Sequence, residues 1–465
     1  MESSVVFVID VSGSMCVTTE VNAKAKIKGS GAREDTIRDM MKEHREFAGY
    51  DQYMPGQRRD TTYVSRLQCI QASIEGQIRN IAKTTPNKKV GLITFSNEVT
   101  LLGDCTKAPI TVAGDKLHDF HGLMEIGEKY ELMNPVHESA ENIIKALWDL
   151  KEEGATALGP AMILGISMAG QRPRSQVILC TDGLANVGIG SLEGVDSNFQ
   201  AFYTEAGEKA WLKGVTVDVV SIIGSECRIE NLSVTTEVAN GTVERVDPAQ
   251  LMDPKNDSNV MHALLGRRVI ATNCFSMVLM HRGLMFKGEA DDEEDRNWLV
   301  RDLGNVTDDT TSSFSYTFRP KDEVDLSALK EVPFQVQMLY TRPNGMQCLR
   351  VTSATLAVTD NRAEAEAQAN ISVISGHAQA RAAKYAKAGC YEEAQLENRA
   401  ALRFMKRKGV KEDKMNEWSQ QANDMDRVLI NEKKKTSNTN DRRNRGDAAA
   451  YAISKAKSAK PNMKF

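Results

Sequence analysis

The sequence lacks the apolar run of about 18 residues that a membrane-spanning helix requires. Near its beginning there is no basic segment followed by an apolar core, so we expect no signal peptide. A strong excess of one sign of charge is also missing, because the formal net charge is only −4. A chain of this charge has no general electrostatic attraction to nucleic acid. The composition therefore favours neither a membrane protein nor a nucleic-acid-binding protein.

Cysteine pairs at metal-binding or redox spacing are missing as well. The eight cysteines are scattered along the chain, and none forms a C-x-x-C pair. Several lie inside apolar runs, which is typical of reduced, buried thiols in a cytosolic protein. We therefore expect a cytoplasmic location.

The sequence also lacks the short motifs of several enzyme classes. No G-x-x-x-x-G-K-S/T loop is present to hold nucleotide phosphates, and Asn87-Lys88-Lys89 lacks the aspartate of an N-K-x-D motif. The segment around Ser12 lacks the first glycine of a G-x-S-x-G nucleophile motif. These absences predict that the chain is not an enzyme.

A strand that ends in oxygen-bearing side chains lies at the start of the sequence. Residues 5–9 form an apolar, β-branched run that is typical of a buried parallel strand. Asp10, Ser12 and Ser14 follow it at a spacing of two. In open α/β sheets, ligands bind beyond the carboxyl ends of the strands. One carboxylate and two hydroxyls make a hard, oxygen-only cluster that suits Mg²⁺ or Mn²⁺.

Two later segments add oxygen-bearing side chains of the same kind. Thr156 precedes an apolar helical pattern, and Thr181-Asp182-Gly183 follows the apolar strand at residues 177–180. Together with Asp10-Val11-Ser12-Gly13-Ser14, these segments resemble the metal-ion-dependent adhesion site of von Willebrand factor A (vWA) domains. The alternative is that each segment is an ordinary helix cap, since Ser, Thr and Asp are common N-cap residues. Capping explains any one segment but poorly explains all of them together.

The resemblance implies a ligand set and a function. In the vWA family the hydroxyls bind the cation directly and the aspartates often act through water. This would make Ser12, Ser14 and Thr156 direct ligands of Mg²⁺, and Asp10 and Asp182 water-mediated or alternating ligands. With few carboxylates around it, the cation keeps much of its positive charge. The family uses the open coordination position to bind an exposed Asp or Glu of a partner protein, and no reaction is required.

The chain as a whole divides into segments of different pattern. Strand-like and helical segments alternate through residues 1–265, which predicts a doubly wound, mostly parallel α/β sheet with an insertion at about residues 17–62. The insertion could be a lid, a partner-specific surface or a tolerated elaboration. Short alternating segments at residues 266–360 predict an antiparallel β-sandwich. Residues 361–431 predict a small helical region.

The last segment, residues 432–465, is strongly basic and has few large apolar side chains. That composition predicts a flexible tail. Such a tail could bind an acidic protein, a membrane surface or RNA, or it could be a solvated extension.

A second resemblance concerns residues 10–19 and Tyr63-Val64-Ser65-Arg66-Leu67-Gln68, which are similar to the vWA part of circularly permuted Ras-like proteins. The missing nucleotide motifs argue against carrying GTPase activity over to this chain. Two hypotheses of function remain. One is a cytosolic protein-interaction module that uses Mg²⁺, and the other is a structural scaffold or assembly subunit in which the metal is incidental. An accessory subunit of an ATP-driven or metal-inserting machine is a third hypothesis with less support.

Overall fold

The structure is a computed structural model in which the chain divides into two compact units. The first comprises Met1–Thr236 and Val243–Gly266, and the second comprises Glu237–Thr242 and Arg267–Phe465. The residues that the structure describes are 2–21, 62–193, 199–223, 227–247, 264–266, 269–287, 296–308, 310–320, 329–410, 415–416, 418–419, 422–423, 426–427, 430 and 439–457.

A seven-stranded sheet forms the centre of the first unit. The strands of this unit are β1 Ser4–Asp10, β2 Thr18–Val21, β3 Thr62–Ser65, β4 Lys89–Phe95, β5 Val99–Gly103, β6 Ile110–Val112, β7 Ser175–Thr181, β8 Val215–Ile222 and β9 Val243–Val246. The order in the sheet is β6-β5-β4-β1-β7-β8-β9. Strand β1 pairs in parallel with both β4 and β7, so the chain builds the sheet outward from β1 in both directions. This confirms the predicted doubly wound fold, in which ligands generally bind beyond the carboxyl ends of strands where the winding direction reverses.

Helices cover both faces of this sheet. In chain order they are α1 Arg66–Thr84, α2 Phe120–Lys129, α3 Val136–Trp148, α4 Leu158–Ala169, α5 Phe199–Leu212 and α6 Ile229–Val238. Val5, Phe7 and Ile9 of β1 share one core with side chains of α1 and α3. Val8 points to the opposite face, where α4 approaches so closely that a Cβ on Gly165 would lie 2.8 Å from it. The alternation follows from the period of two in a strand, and each fully buried side chain contributes about 1.5–3 kcal/mol.

Helix α1 has the amphipathic face that the sequence predicts. The buried side chains of this face are Leu67, Ile70, Ile74, Ile78 and Ile81. Ser65 begins the helix with a capping box. Its hydroxyl accepts a hydrogen bond from the Gln68 amide at 3.1 Å, and the Gln68 side chain accepts one from the Ser65 amide at 3.0 Å. The box fixes Arg66 as the first helical residue.

The predicted insertion leaves and rejoins the first unit through a two-stranded antiparallel ribbon. Strands β2 and β3 pair with Thr18 opposite Ser65 and Val21 opposite Thr62. The ribbon thus holds the two ends of the insertion side by side, directly after the Asp10 turn and directly before α1. The charged sequence pattern of residues 33–47 predicts a helix within the insertion, but these residues, like all of 22–61, lie outside the described residues.

The second unit contains the β-rich region. Its strands are β10 Val269–Met280, β11 Leu284–Phe286, β12 Trp298–Thr307, β13 Tyr316–Phe318, β14 Glu331–Thr341 and β15 Gln347–Ala357. They form an antiparallel sheet in the order β12-β10-β14-β15 and a two-stranded pair of β11 and β13. The two sheets share an apolar core that includes Val278, Phe286 and Leu299. The sequence prediction of antiparallel β-structure after the α/β unit is therefore confirmed.

Helices follow the β-rich region. They are α7 Arg362–Gln368, α8 Ile371–Lys387, α9 Tyr391–Arg407 and α10 Thr439–Lys457. Helices α8 and α9 form a hairpin with Gly389 in the turn, at a φ of 78°. Glycine suits this left-handed conformation because it has no Cβ. Across the described residues, no helix combines the length and the apolar character needed to cross a membrane.

The prediction of a flexible tail at residues 432–465 is wrong for Thr439–Lys457, which form α10. Helices α8, α9 and α10 share a small core that includes Ala382, Ala386, Ala394 and Ala449. Alanine has the highest intrinsic helix propensity, and its short side chain lets helices approach closely. The basic composition of the whole segment concealed its alanine-rich part. Residues 432–438 and 458–465 lie outside the described residues.

Candidate metal centre

The Asp10 turn lies at the carboxyl end of β1, which is buried along its whole length. The Asp10 carboxylate accepts a hydrogen bond on Oδ1 from the Ser12 amide at 2.8 Å. A short 3₁₀ turn, Gly13–Cys16, follows and folds the chain so that the hydroxyl oxygens of Ser12 and Ser14 lie 3.1 Å apart. The turn therefore presents the carboxylate and both hydroxyls together.

The Thr181-Asp182-Gly183 segment lies beside this turn because β1 and β7 are adjacent parallel strands, with Ile9 opposite Cys180. The Thr181 hydroxyl donates to Oδ2 of Asp10 at 2.6 Å. The Ser14 hydroxyl donates to Oδ1 of Asp182 at 2.6 Å. These two bonds connect the Asp10 turn to the Asp182 turn.

The Thr156 loop is held against both turns by its backbone. Its Gly154 carbonyl accepts a hydrogen bond from the Gly13 amide at 3.0 Å. Asn186 makes two hydrogen bonds to the backbone of Thr156. Its side-chain oxygen accepts from the Thr156 backbone N–H at 2.8 Å, and its own backbone N–H donates to the Thr156 carbonyl at 3.0 Å. A second asparagine, Asn97, accepts from the Ala155 amide at 2.8 Å. Sequence reasoning missed both asparagines, for which there is no local signal.

The three segments converge on a small space above Gly183. A Cβ added to Gly183 would lie 3.4 Å from Thr156 Oγ1, 3.5 Å from Ser14 Oγ and 3.8 Å from Asp10 Oδ2. The absence of a side chain at this position therefore keeps open a cradle lined by oxygen atoms. Oxygen-only donors fit a hard divalent cation such as Mg²⁺ or Mn²⁺.

The structure brings together all the residues that the sequence singled out. They are Asp10, Ser12, Ser14, Thr156 and Asp182. Their assignment as metal ligands stays a prediction. Within the described part of the chain, no group of three or more His, Cys, Asp or Glu side chains could hold a metal ion. The cradle is not such a group, because it contains only two carboxylates and its other donors are hydroxyls.

Burial dominates the electrostatics of the cradle. Asp10 and Asp182 are both completely buried. Burial raises the pKa of Asp10 from 3.8 to about 6, and the charge of Asp182 adds to the rise, while hydrogen bonds from Ser12 and Thr181 oppose it. The hydrogen bonds to Asp10 therefore do not fully offset its burial, and a divalent cation beside it would favour the charged form.

Arg66 contacts one of the predicted site residues, and sequence reasoning missed this contact. Its guanidinium Nη1 donates to Oδ2 of Asp182 in a buried ion pair. The Arg66 residue is only 6% exposed, although arginine is rarely buried unless it is paired. The sequence offers one signal for its burial: Arg66 directly precedes Leu67, which is the first residue of the buried apolar face of α1.

Comparison with solved structures defines the class of fold. The human COPII-coat protein Sec24c has a TM-score of 0.54 and 13% identity, over 97% of this chain and 57% of that chain. A von Willebrand factor type A protein from Catenulispora acidiphila has a TM-score of 0.50 and 13% identity, over 97% of this chain and 89% of that chain. At such identities the likeness shows the fold alone, which is a vWA-like α/β fold followed by a β-rich region. No protein-family model matches the chain.

Comparison of sequences identifies one particular relative. "Circularly permutated Ras protein 1" of Dictyostelium discoideum is 31% identical over 420 residues, which are 87% of this chain and 45% of that protein. This chain therefore spans less than half the length of the relative that it matches. The similarity agrees with the resemblance seen around Asp10 and Tyr63, and it extends beyond the vWA region.

Proposed function

We propose that this chain is a protein-interaction module that binds an acidic side chain of a partner protein through a divalent cation, Mg²⁺ or Mn²⁺. The residues that would hold the cation are Asp10, Ser12, Ser14, Thr156 and Asp182. The observation that carries the proposal is the convergence of Thr156, Ser14 and Asp10 oxygens on the cradle above Gly183. When bound, the cation supplies an open coordination position for a carboxylate.

The hydrogen bonds within the cradle support hydroxyls as the direct ligands. Both oxygens of Asp10 already accept hydrogen bonds, from Ser12 and Thr181. Both oxygens of Asp182 do so too, from Ser14 and Arg66. Because the Ser14 hydroxyl donates its proton to Asp182, it accepts from the Ser12 hydroxyl, and its second lone pair remains available to a cation. In this arrangement the carboxylates would lie farther from the cation than the hydroxyls do. The cation would then keep more of its positive charge to attract the carboxylate of a partner.

The proposal is one of binding without reaction. Motifs for nucleotide binding and for a serine nucleophile are missing from this sequence, so neither GTP hydrolysis nor acyl transfer is part of it. The scattered cysteines, none of which forms a C-x-x-C pair, support a cytoplasmic location for the module.

The test compares capture of binding proteins by the tagged chain in millimolar Mg²⁺ and in EDTA. The informative variant is Thr156→Val, which removes one hydroxyl from the cradle at nearly constant volume. Its matched control is Thr100→Val, because the Thr100 hydroxyl bonds to Thr111 on the sheet edge. We expect EDTA and Thr156→Val to abolish the same captured band and Thr100→Val to leave it. Bands that survive both treatments would refute metal-dependent recognition.

A structural scaffold or assembly subunit is the second candidate. It is favoured by the likeness to the coat protein Sec24c, which extends over 97% of this chain and so includes the β-rich and helical regions. In this case the β-rich and helical regions would supply the binding surface. Capture that is insensitive to EDTA but lost when those regions are disrupted would favour the scaffold.

A further inference from the structure

The cradle contains a positive charge that belongs to the chain itself. The side chains of Arg66 and Asp182 are 7% and 0% exposed, and they form an ion pair. Arginine keeps its proton under all ordinary conditions. A divalent cation placed in the cradle would therefore approach a permanent guanidinium charge. Two like charges repel more strongly in a buried site than in water.

We infer that Arg66 is an internal cation that competes with a divalent metal ion for the negative charge of Asp182 and so lowers the metal affinity of the cradle. With Arg66 in place, the two carboxylates and the guanidinium sum to a charge of about −1, whereas without it they sum to about −2. The ion pair also occupies Oδ2 of Asp182. Metal binding must then either displace the guanidinium or tolerate its repulsion. This inference rests on the proposed function.

The backbone around Arg66 explains why the guanidinium is held at this place. The Arg66 amide donates to the carbonyl of Val17, the residue that follows the 3₁₀ turn, at 3.1 Å, so the helix start is fixed to the end of the Asp10 turn. The Ser65 hydroxyl donates to Glu152 at 3.1 Å, only a few residues before Thr156. Arg66 is thus anchored by the same segments that form the cradle, and by the ribbon that carries the insertion.

The first test is calorimetric titration of Mn²⁺ and of Mg²⁺ into the full chain and its variants. Arg66→Gln keeps a hydrogen-bond donor near Asp182 but removes the charge, and we expect it to bind either ion about tenfold more tightly than the wild type. Arg66→Lys keeps the charge and should bind more weakly than Arg66→Gln. The matched control is Arg79→Gln on the same helix, whose arginine pairs with Glu75 and Glu141 at the surface.

A stability measurement separates competition from a purely structural role. Without metal, Arg66→Gln leaves Asp182 buried without its counterion, so its melting temperature should fall below that of the wild type. Saturating Mn²⁺ should raise the melting temperature of the variant more than that of the wild type, because it replaces the lost charge. Equal metal-induced shifts in both proteins would mean that Arg66 is only a structural partner of Asp182 and would overturn the inference.

A wild-type measurement covers the case in which Arg66→Gln does not fold. With arginine Cζ labelled with ¹³C, Mg²⁺ should shift the one resonance that Arg66→Lys lacks. An unchanged resonance at saturation would overturn the inference.

The results also distinguish this inference from the proposed function. Equal affinity in wild type and Arg66→Gln, abolished in both by Thr156→Val, would refute the competition and leave the metal site intact. Binding by Arg66→Gln alone would support the competition and refute metal-dependent binding by the wild type. Absence of binding in both would refute the two together.

Discussion

Replacing Gly183 with alanine tests directly whether a cation lies in the cradle. The new methyl carbon would lie 3.4–3.8 Å from the Thr156, Ser14 and Asp10 oxygens. These are ordinary van der Waals distances, and Gly183 is not among the residues with positive φ. The metal-free fold should therefore tolerate the change, with a free energy of unfolding within about 1 kcal/mol of the wild type.

Metal binding should respond quite differently. Magnesium lies about 2.1 Å from its oxygen ligands and demands near-ideal octahedral geometry. A methyl group among the same oxygens of the Gly183 cradle takes up space that the cation and its remaining waters need. We expect Gly183→Ala to weaken Mg²⁺ and Mn²⁺ binding by about tenfold to a hundredfold, which is about 1.4–2.8 kcal/mol.

The assay combines titration calorimetry with urea unfolding of the metal-free chain. The matched control is Gly76→Ala in the middle of α1, where an added Cβ meets nothing within 4 Å. That control should stabilise the helix by up to about 1 kcal/mol and leave metal binding unchanged. Wild-type metal affinity in a folded Gly183→Ala protein would refute the location of the site.

Three further outcomes are expected. The pKa of Asp10 rises from about 4 in the unfolded chain to about 6 on folding, so the protonated carboxyl group favours the folded state. This stabilisation is complete below pH about 4 and is lost as the pH rises through about 6. Asp10→Asn, which cannot ionise, should therefore stabilise the metal-free chain at pH 7.5 by about 1–3 kcal/mol in urea unfolding. Burial alone would raise the pKa of Asp104, but hydrogen bonds from Thr106, Asn134 and Met133 outweigh it and lower the pKa. Asp104→Asn should cost about 1–3 kcal/mol at pH 7, and the cost should shrink as the pH falls through the lowered pKa, which unfolding curves across that range would detect. Ala449→Asp should detach α10 from its neighbouring helices, because it would bury a charge in their shared alanine core. Limited proteolysis should then cleave within Thr439–Lys457 faster than in the wild type. An unchanged free energy of unfolding or cleavage rate would contradict the corresponding statement.

The oxygen-rich segments could be predicted from the sequence because each is a local pattern that follows a recognisable strand or precedes a helix. Asp10 and Asp182 each follow an apolar run, and adjacent parallel strands bring their carboxyl ends together. The face of α1 was equally predictable, since a period of 3.6 residues is expressed within one segment. Each of these features is determined by residues that are close together in the sequence.

The contacts of Arg66, Asn186 and Asn97 could not be predicted in this way. Arg66 pairs with Asp182 at a separation of 116 residues, and Asn97 reaches Ala155 across 58 residues. No periodicity or turn signal encodes such pairings, which depend on how the strands are ordered in the sheet. Helix α10 was missed for another reason, because an average over the whole segment concealed its alanine-rich part.

Arg66 and the proposed recognition of an acid lead to one expectation about linkage. If the guanidinium repels a divalent cation in the cradle, a partner's carboxylate bound to that cation adds a negative charge that offsets the repulsion. The cation and the partner should then bind more tightly together than either does alone, and by linkage each must raise the affinity of the other by the same factor. Mg²⁺ alone should raise the melting temperature of the chain only slightly, whereas Mg²⁺ with an acidic partner should raise it more than the sum of the separate shifts. In Arg66→Gln the excess over that sum should shrink, because the repulsion that the partner relieves is no longer present.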